Sequence, residues 1–312
     1  MPLLKLDNGV TLSYFSSPDA RPSPSRPTIL FLGALVQRAD IQFEPQYRDA
    51  LFAGFNCVGF DPHGHGDTTG RSKWDYKDNA SDIVQGMKAL GVEKFFVFGT
   101  SHGGMIAQEI GLGYPKATRG LILCGTTARR MGPEATAVFR DWLIPAWTAT
   151  NPPPNDALMA SMPSSFGAPA TPIDQPGSAF GDRRPVGKAS EERTTESAVG
   201  FELFCKIVDN LRTHCGEDKI TKPVEALVAW PGSDTRLGGL KAPVLVIHGL
   251  DDSTFPVDHG EQIESLLPKG KHTRLVKLDG KGAHVINVIK EVVPQLNTTT
   301  REWLDEVIKD GF

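Results

Sequence analysis

Three kinds of residue in this chain have the makings of covalent chemistry on a carbonyl carbon: a serine set between glycines, a pair of adjacent aspartates and a histidine in a glycine-rich loop. Gly99, Ser101 and Gly103 spell G-x-S-x-G within "FVFGTSHGGMIAQE". An apolar, aromatic run leads into the serine and a helical pattern leads away from it. A hydroxyl raised on so sharp a strand-to-helix turn stands above the carboxyl edge of a sheet, beside the positive end of a helix. Glycines two residues to either side let strand and helix approach closely. A neutral serine is a poor nucleophile, so it needs a base for its proton and an acid to orient that base. Asp251 and Asp252 follow the apolar run "APVLVIHG", and His284 ends "LDGKGAH" after the next one.

The elements that would position these groups are short apolar runs followed by glycine or aspartate: "TILFLG" (28–33), "NCVGFD" (56–61), "FFVFG" (95–99) and "GLILCG" (120–125). Runs without alternation read as strands buried on both faces between helical layers. Between them lie helical patterns. The clearest puts Ala80, Ile83, Val84, Met87 and Leu90 on one stripe, with Asp78 or Asn79 to cap its start and Gly91 to close its end. Alternating strand and helix predict a mostly parallel sheet. The amino end, "MPLLKLDNGVTLSYF", alternates about an Asn-Gly turn and reads as a hairpin.

The alternation stops near residue 126 and resumes at "APVLVIHG" (242–249), with a further strand at "TRLVKLDG" (273–280). Between them come a helical pattern around Phe139, Trp142, Leu143 and Trp147, a proline- and serine-rich stretch, and more helix-like sequence near "ESAVGFELFCKIVDNLRTH". A segment of this length inside a continuing sheet reads as an insertion. Its Trp142, Trp147, Met159, Met162, Phe166, Phe201 and Phe204 exceed what an isolated insertion can bury, so some should roof a pocket for a mid-sized, largely apolar substrate. The last segment offers a capping box from Thr299 to Glu302 and a stripe of Trp303, Leu304, Val307 and Ile308, a closing helix.

In the order Ser101, aspartate, His284, the chain resembles the α/β-hydrolase fold superfamily over its whole length except the insertion. The resemblance implies an α/β architecture: a mostly parallel, eight-stranded sheet flanked by helices, with an inserted, mainly helical cap. The core would be residues 1–126 and 237–312, and the cap 127–236. The family's spacing of glycine, acid and proline matches Gly249, Asp252 and Pro256, which selects Asp252 as the acid and leaves Asp251 as a solvated turn residue. The resemblance also implies an oxyanion hole from the backbone amides of Ala34 and His102, although Leu32-Gly33 stands where relatives commonly have His-Gly. Leu35, Trp142, Trp147 and Phe255 are the expected substrate contacts.

"DPHGHGDT" (61–68) places His63, His65 and Asp67 in a spacing that resembles the start of a metallo-β-lactamase zinc motif, but Thr68 stands where the next histidine would be. It fits better as the hydrolase loop Asp-x-Arg-Gly-x-Gly with His63 in place of arginine. No metal and no cofactor are expected. The ring of His102 is expected to pack beneath the insertion, and Arg129 and Arg130 to form a solvated pair at its entrance. A net charge of −4, with 22% charged and 39% hydrophobic residues, offers no basic surface for nucleic acid or anionic lipid. Cys57, Cys124, Cys205 and Cys215 lack metal spacing and read as reduced. With no signal-like or membrane-spanning run, a cytoplasmic enzyme acting on a small molecule is expected, its oligomeric state open. The reaction expected is cleavage of a carboxylic ester, lactone or thioester through an acyl-enzyme on Ser101. An acyltransferase or lactone-forming cyclase needs the same constellation, as does a carbon–carbon bond hydrolase, and a non-catalytic ligand receptor on the same fold is the alternative from another class.

Overall fold

The structure, a computed structural model, describes residues 1–151, 165–166, 198–214 and 216–311. Eight strands form one sheet: β1 (Leu3–Lys5), β2 (Thr11–Ser17), β3 (Thr28–Leu32), β4 (Asn56–Phe60), β5 (Phe95–Thr100), β6 (Thr118–Cys124), β7 (Val244–Gly249) and β8 (Arg274–Leu278). Their order is β1-β2-β4-β3-β5-β6-β7-β8. The β1–β2 hairpin is antiparallel, as is β2 against β4; every later pairing is parallel. The chain turns back between β3 and β5, the switch point at which open α/β sheets form a crevice beyond their carboxyl ends.

Residues along each central strand go alternately to two apolar layers, which is why the sequence shows no polar alternation. Ile29 and Phe31 of β3 join Phe43 and Phe98 on one face; Leu30 and Leu32 join Val97, Leu121 and Leu123 on the other. The rings of Phe31, Phe43 and Phe98 lie 4.7 to 5.8 Å apart, and each is fully buried. Burial of one such side chain contributes about 1.5–3 kcal/mol. The register sets Leu32 beside Gly99, Thr100 beside Cys124 and Gly249 beside Leu278, so these strands end along one edge.

Helix α1 (Tyr76–Ala89) buries Ala80, Ile83, Val84 and Met87 as its stripe predicts, and Gly91, at φ +82°, ends it. Its cap differs from expectation. Asp75 accepts the Asp78 N–H at 2.8 Å while Asp78 accepts the Asp75 N–H at 3.1 Å, a reciprocal box placed earlier because buried Tyr76 continues the stripe. Helix α2 (His102–Gly113) follows β5 directly. Within the insertion, a continuous helical run covers Pro133–Ala137, Val138–Leu143 (π-type) and Ile144–Thr148. Helix α3 (Phe201–His214) was legible; helix α4 (Glu217–Ala229) was not, since Pro223 in its middle reads as a breaker. Ile220, Val224 and Leu227 nevertheless form a buried stripe that holds α4 on the core. The insertion leaves and returns through a neck, where the Ala128 carbonyl accepts the N–H groups of Ser233 (2.8 Å) and Asp234 (3.2 Å). Met159, Met162, Cys215, the proline-rich stretch and the Phe201 side chain lie outside the described residues.

Helix α5 (Asp258–Leu266) joins β7 to β8, and α6 (Val293–Lys309) closes the chain. The expected capping box at Thr299 is not the start of α6. The buried series Leu296, Thr300, Trp303, Leu304 and Val307 carries the helix farther back, to a first turn containing Pro294. Among the described residues, no helix is long and apolar enough to cross a membrane.

Candidate active site

Ser101 stands between β5 and α2 with φ +53° and ψ −118°, a strained conformation for any residue with a Cβ. Such strain persists only when the surroundings over-determine it. Here the Ser101 N–H donates to the Cys124 carbonyl (3.0 Å), and the Ser101 carbonyl accepts from Thr126 Oγ1 (2.7 Å) and the amides of Gly104 (2.9 Å) and Met105 (3.2 Å). Neighbouring glycines make room. A Cβ on Gly99 would meet the Gly103 carbonyl oxygen at 2.3 Å, and one on Gly103 would meet that of Leu32 at 2.1 Å.

His284, in the loop after β8, brings its Nε2 within 2.7 Å of Ser101 Oγ and its Nδ1 within 2.8 Å of Asp252 Oδ2. Asp252 is fixed in turn: its Oδ1 accepts the amides of Thr254 and Phe255, both at 2.9 Å, and the Phe255 ring stands edge-on to the imidazole with centroids 5.1 Å apart. Its neighbour Asp251 is exposed and accepts the Gly282 N–H, bracing the loop that holds His284. All three groups of the chain are nearly buried, with Ser101 8% exposed, His284 5% and Asp252 4%. With the serine hydroxyl donating to Nε2, and Nδ1–H donating to the carboxylate, the serine proton has an acceptor and the base is held in one tautomer. That is what nucleophilic attack on a carbonyl requires.

The oxyanion donors need a correction. The Ala34 N–H, expected to be free, donates to Gln42 Oε1 at 2.7 Å. Gln42, buried at the end of the short helix Ala39–Gln42, reaches back over Gly33, where a Cβ would lie 3.0 Å from that oxygen. The next amide, Leu35, has no hydrogen-bond partner among the described residues, nor has that of His102, the first residue of α2. Gln42 Nε2 also donates to Asn287 Oδ1 (3.1 Å), and Asn287 Nδ2 to Gln46 Oε1 (3.2 Å), which ties the turn after β3 to the segment following His284. Nothing in the sequence marked these residues: a buried glutamine and an exposed one look the same in one dimension.

A cavity of about 870 Å³ opens above Ser101. Leu35, Trp142, Trp147 and Phe255, the four expected substrate contacts, all line it, along with Met105 and Phe166. Arg129 at its rim is partly exposed and pairs with Asp258 (2.8 Å) and Gln262 (2.6 Å), and its neighbour Arg130 is exposed. The His102 ring is buried against Tyr76 and His65, with centroids 5.1 and 4.9 Å away, and this burial holds its pKa well below the ordinary imidazole value. The imidazoles of the H-x-H stretch are engaged within the fold. His63 Nε2 meets Asp82 Oδ2 at 2.8 Å, and His65 Nε2 accepts the Val36 N–H at 2.9 Å. Among the described residues, no group of three or more potential ligands is placed to hold a metal ion.

Comparison with known proteins points the same way. A family model described as the alpha/beta hydrolase fold matches residues 27–290. RutD of Agrobacterium fabrum, whose name assigns it provisionally to carbamate hydrolysis, is 26% identical over 270 residues, covering 86% of this chain and 90% of RutD. The human serine hydrolase BPHL is 22% identical over 285 residues, covering 85% of this chain and 78% of that one. The enol-lactonase from Burkholderia xenovorans LB400 superposes with a TM-score of 0.73 at 21% identity, covering 97% of this chain and all of its own (100%). The sheet order of the present chain, Ser101 at the turn after β5 and the family match over residues 27–290 together make it a member of the alpha/beta hydrolase fold family.

Proposed function

We propose that this protein is a serine hydrolase that cleaves a carboxylic ester, lactone or thioester of a mid-sized, largely apolar substrate. The observation that carries the reading is the hydrogen-bonded series Ser101–His284–Asp252, at 2.7 and 2.8 Å, on the floor of a cavity walled by Leu35, Trp142, Trp147 and Phe255. Ser101 Oγ attacks the carbonyl carbon as its proton passes to His284 Nε2. Asp252 stabilises the resulting imidazolium without taking the proton itself. The amides of His102 and Leu35 receive the developing oxyanion, the latter in place of Ala34. Collapse of the tetrahedral intermediate expels the alkoxide, thiolate or ring oxygen with the proton returned by His284. Water then repeats the sequence on the acyl-enzyme and regenerates the serine.

Residues 127–236 act in this reading as a cap that selects the acyl group. A cavity of this volume falls in the range that encloses small molecules. A reducing, cytoplasmic setting is part of the proposal, supported by the free thiols of Cys57, Cys124 and Cys205. The test is a fluorophosphonate probe together with p-nitrophenyl esters of increasing acyl length. The expected result is stoichiometric labelling abolished in Ser101→Ala, and an optimum at intermediate chain length. A wild-type protein that is not labelled, or a Ser101→Ala variant labelled as well as wild type, would refute it.

A further inference from the structure

The turn that carries the Leu35 amide is built around a residue ill suited to it. Residues Ala34–Gln37 form a β-turn closed by the Gln37 N–H on the Ala34 carbonyl at 3.1 Å, and Val36, in its third position, has φ +57°. Turns with positive φ at that position ordinarily place glycine or asparagine there, and a β-branched side chain is strained. Side chains on both sides reach the Val36 backbone. On the core side, His65 Nε2 accepts the Val36 N–H at 2.9 Å, and the His63 carbonyl, 3.1 Å from His65 Nδ1, fixes the tautomer that can do so. On the other side, Asn210 Nδ2 donates to the Val36 carbonyl at 3.2 Å.

Asn210 belongs to α3, within the insertion, where it is 3% exposed between the buried Ile207, Val208 and Leu211. Its Oδ1 meets no polar partner among the described residues. A half-satisfied amide kept on an otherwise apolar helix face needs a reason, since aliphatic residues there would bury more cheaply. The bond to Val36 is the one the structure offers.

We propose that Asn210 is a positioning residue: through it, seating of α3 on the core holds the Ala34–Gln37 turn in the form that presents the Leu35 amide to the oxyanion. The proposal rests on the serine hydrolase reading and deepens it. It makes the insertion part of the catalytic geometry as well as the roof of the pocket. Without Asn210, Val36 relaxes toward negative φ, the Leu35–Val36 peptide rotates, and the donor leaves its place. Glycine at position 36 has no such preference, so its turn keeps its shape without the restraint.

The experiment is a double-mutant comparison of Asn210→Leu, Val36→Gly and the pair, read as kcat and KM for p-nitrophenyl butyrate and as fluorophosphonate labelling rate. Lys206→Met is the control, removing a different tie of the same helix to the core, its ion pair with Glu44 (2.7 Å). The expected result is that Asn210→Leu lowers kcat and labelling at least tenfold with KM within about twofold. In the Val36→Gly background the same substitution costs less than threefold, and Lys206→Met leaves kcat unchanged. Asn210→Ala serves as the second variant should leucine prevent folding, with the same outcomes. Equal losses from Asn210→Leu in the two backgrounds, or a loss confined to melting temperature, would overturn the proposal. Absence of labelling in the wild type would overturn the hydrolase reading beneath it, an outcome distinct from these.

Discussion

Replacing Gly103 by alanine tests how closely the sharp turn at Ser101 governs reactivity. The new methyl carbon would lie 2.1 Å from the Leu32 carbonyl oxygen, 2.4 Å from the Leu32 carbonyl carbon and 2.7 Å from the Gly33 carbonyl oxygen. All three are backbone atoms, so no rotamer change relieves the contact. Restoring ordinary separation requires α2 and β3 to part by about 1 Å. Overpacking of this kind costs about 1–3 kcal/mol, and a displacement of about 1 Å at reacting atoms lowers turnover by about 100-fold. The reason is local: α2 begins at the residue after Ser101, so its shift carries Oγ away from His284 Nε2, now 2.7 Å distant. The assay is kcat for a p-nitrophenyl ester with melting temperature measured alongside. Gly113→Ala is the internal control, because that glycine ends the same helix with nothing within 4 Å of an added Cβ, and the change should stabilise by about 0.4–1 kcal/mol. A Gly103→Ala protein with wild-type turnover, measured well below its melting temperature, would show that the strand–helix contact does not position the nucleophile.

Two further predictions separate neighbouring roles. Asp252→Asn leaves the fold intact but removes the acceptor that selects the His284 tautomer, so kcat should fall about 10⁴-fold, as for loss of the acid in a comparable triad. Asp251→Asn keeps an oxygen for the Gly282 amide and should stay within about threefold; equal losses in the two variants would mean that the acid has been misassigned. His65 offers a pH test: burial depresses its pKa from 6.5 to about 4. The unfolded chain then binds the extra proton first on acidification, so this contribution to stability is complete above pH 6.5 and is lost as the pH falls toward 4, amounting to about 3 kcal/mol. Melting temperature followed over that range should slope less steeply in His65→Gln than in the wild type, and identical slopes would remove His65 from the account.

The sheet was legible because burial on both faces leaves unbroken apolar runs, and the four strands read before the insertion appear at β3, β4, β5 and β6. Ser101, Asp252 and His284 are brought together as their places after β5, β7 and β8 implied, since parallel strands ending in register deliver their following loops to one edge. What escaped were features made by tertiary contact. Gln42 occupies the Ala34 amide from eight residues away, and Asn210 reaches Val36 across 174 positions. Neither has periodicity or spacing to announce it. Helix boundaries also slipped: Asp75 rather than Asp78 begins α1, and α6 starts well before Thr299, because buried residues extend each stripe past the nearest plausible cap.

The neck at Ala128 has a consequence for how such a molecule changes over time. Departure and return of the excursion meet on a single carbonyl, so the loop is closed at two adjoining points, and α3 and α4 add their own contacts with the core farther along. Exchanging that loop for another of different size costs little closure entropy, because the cost grows only with the logarithm of length. New roofs can therefore be auditioned over an unaltered reactive floor, provided that each supplies a side chain able to do for Val36 what Asn210 does.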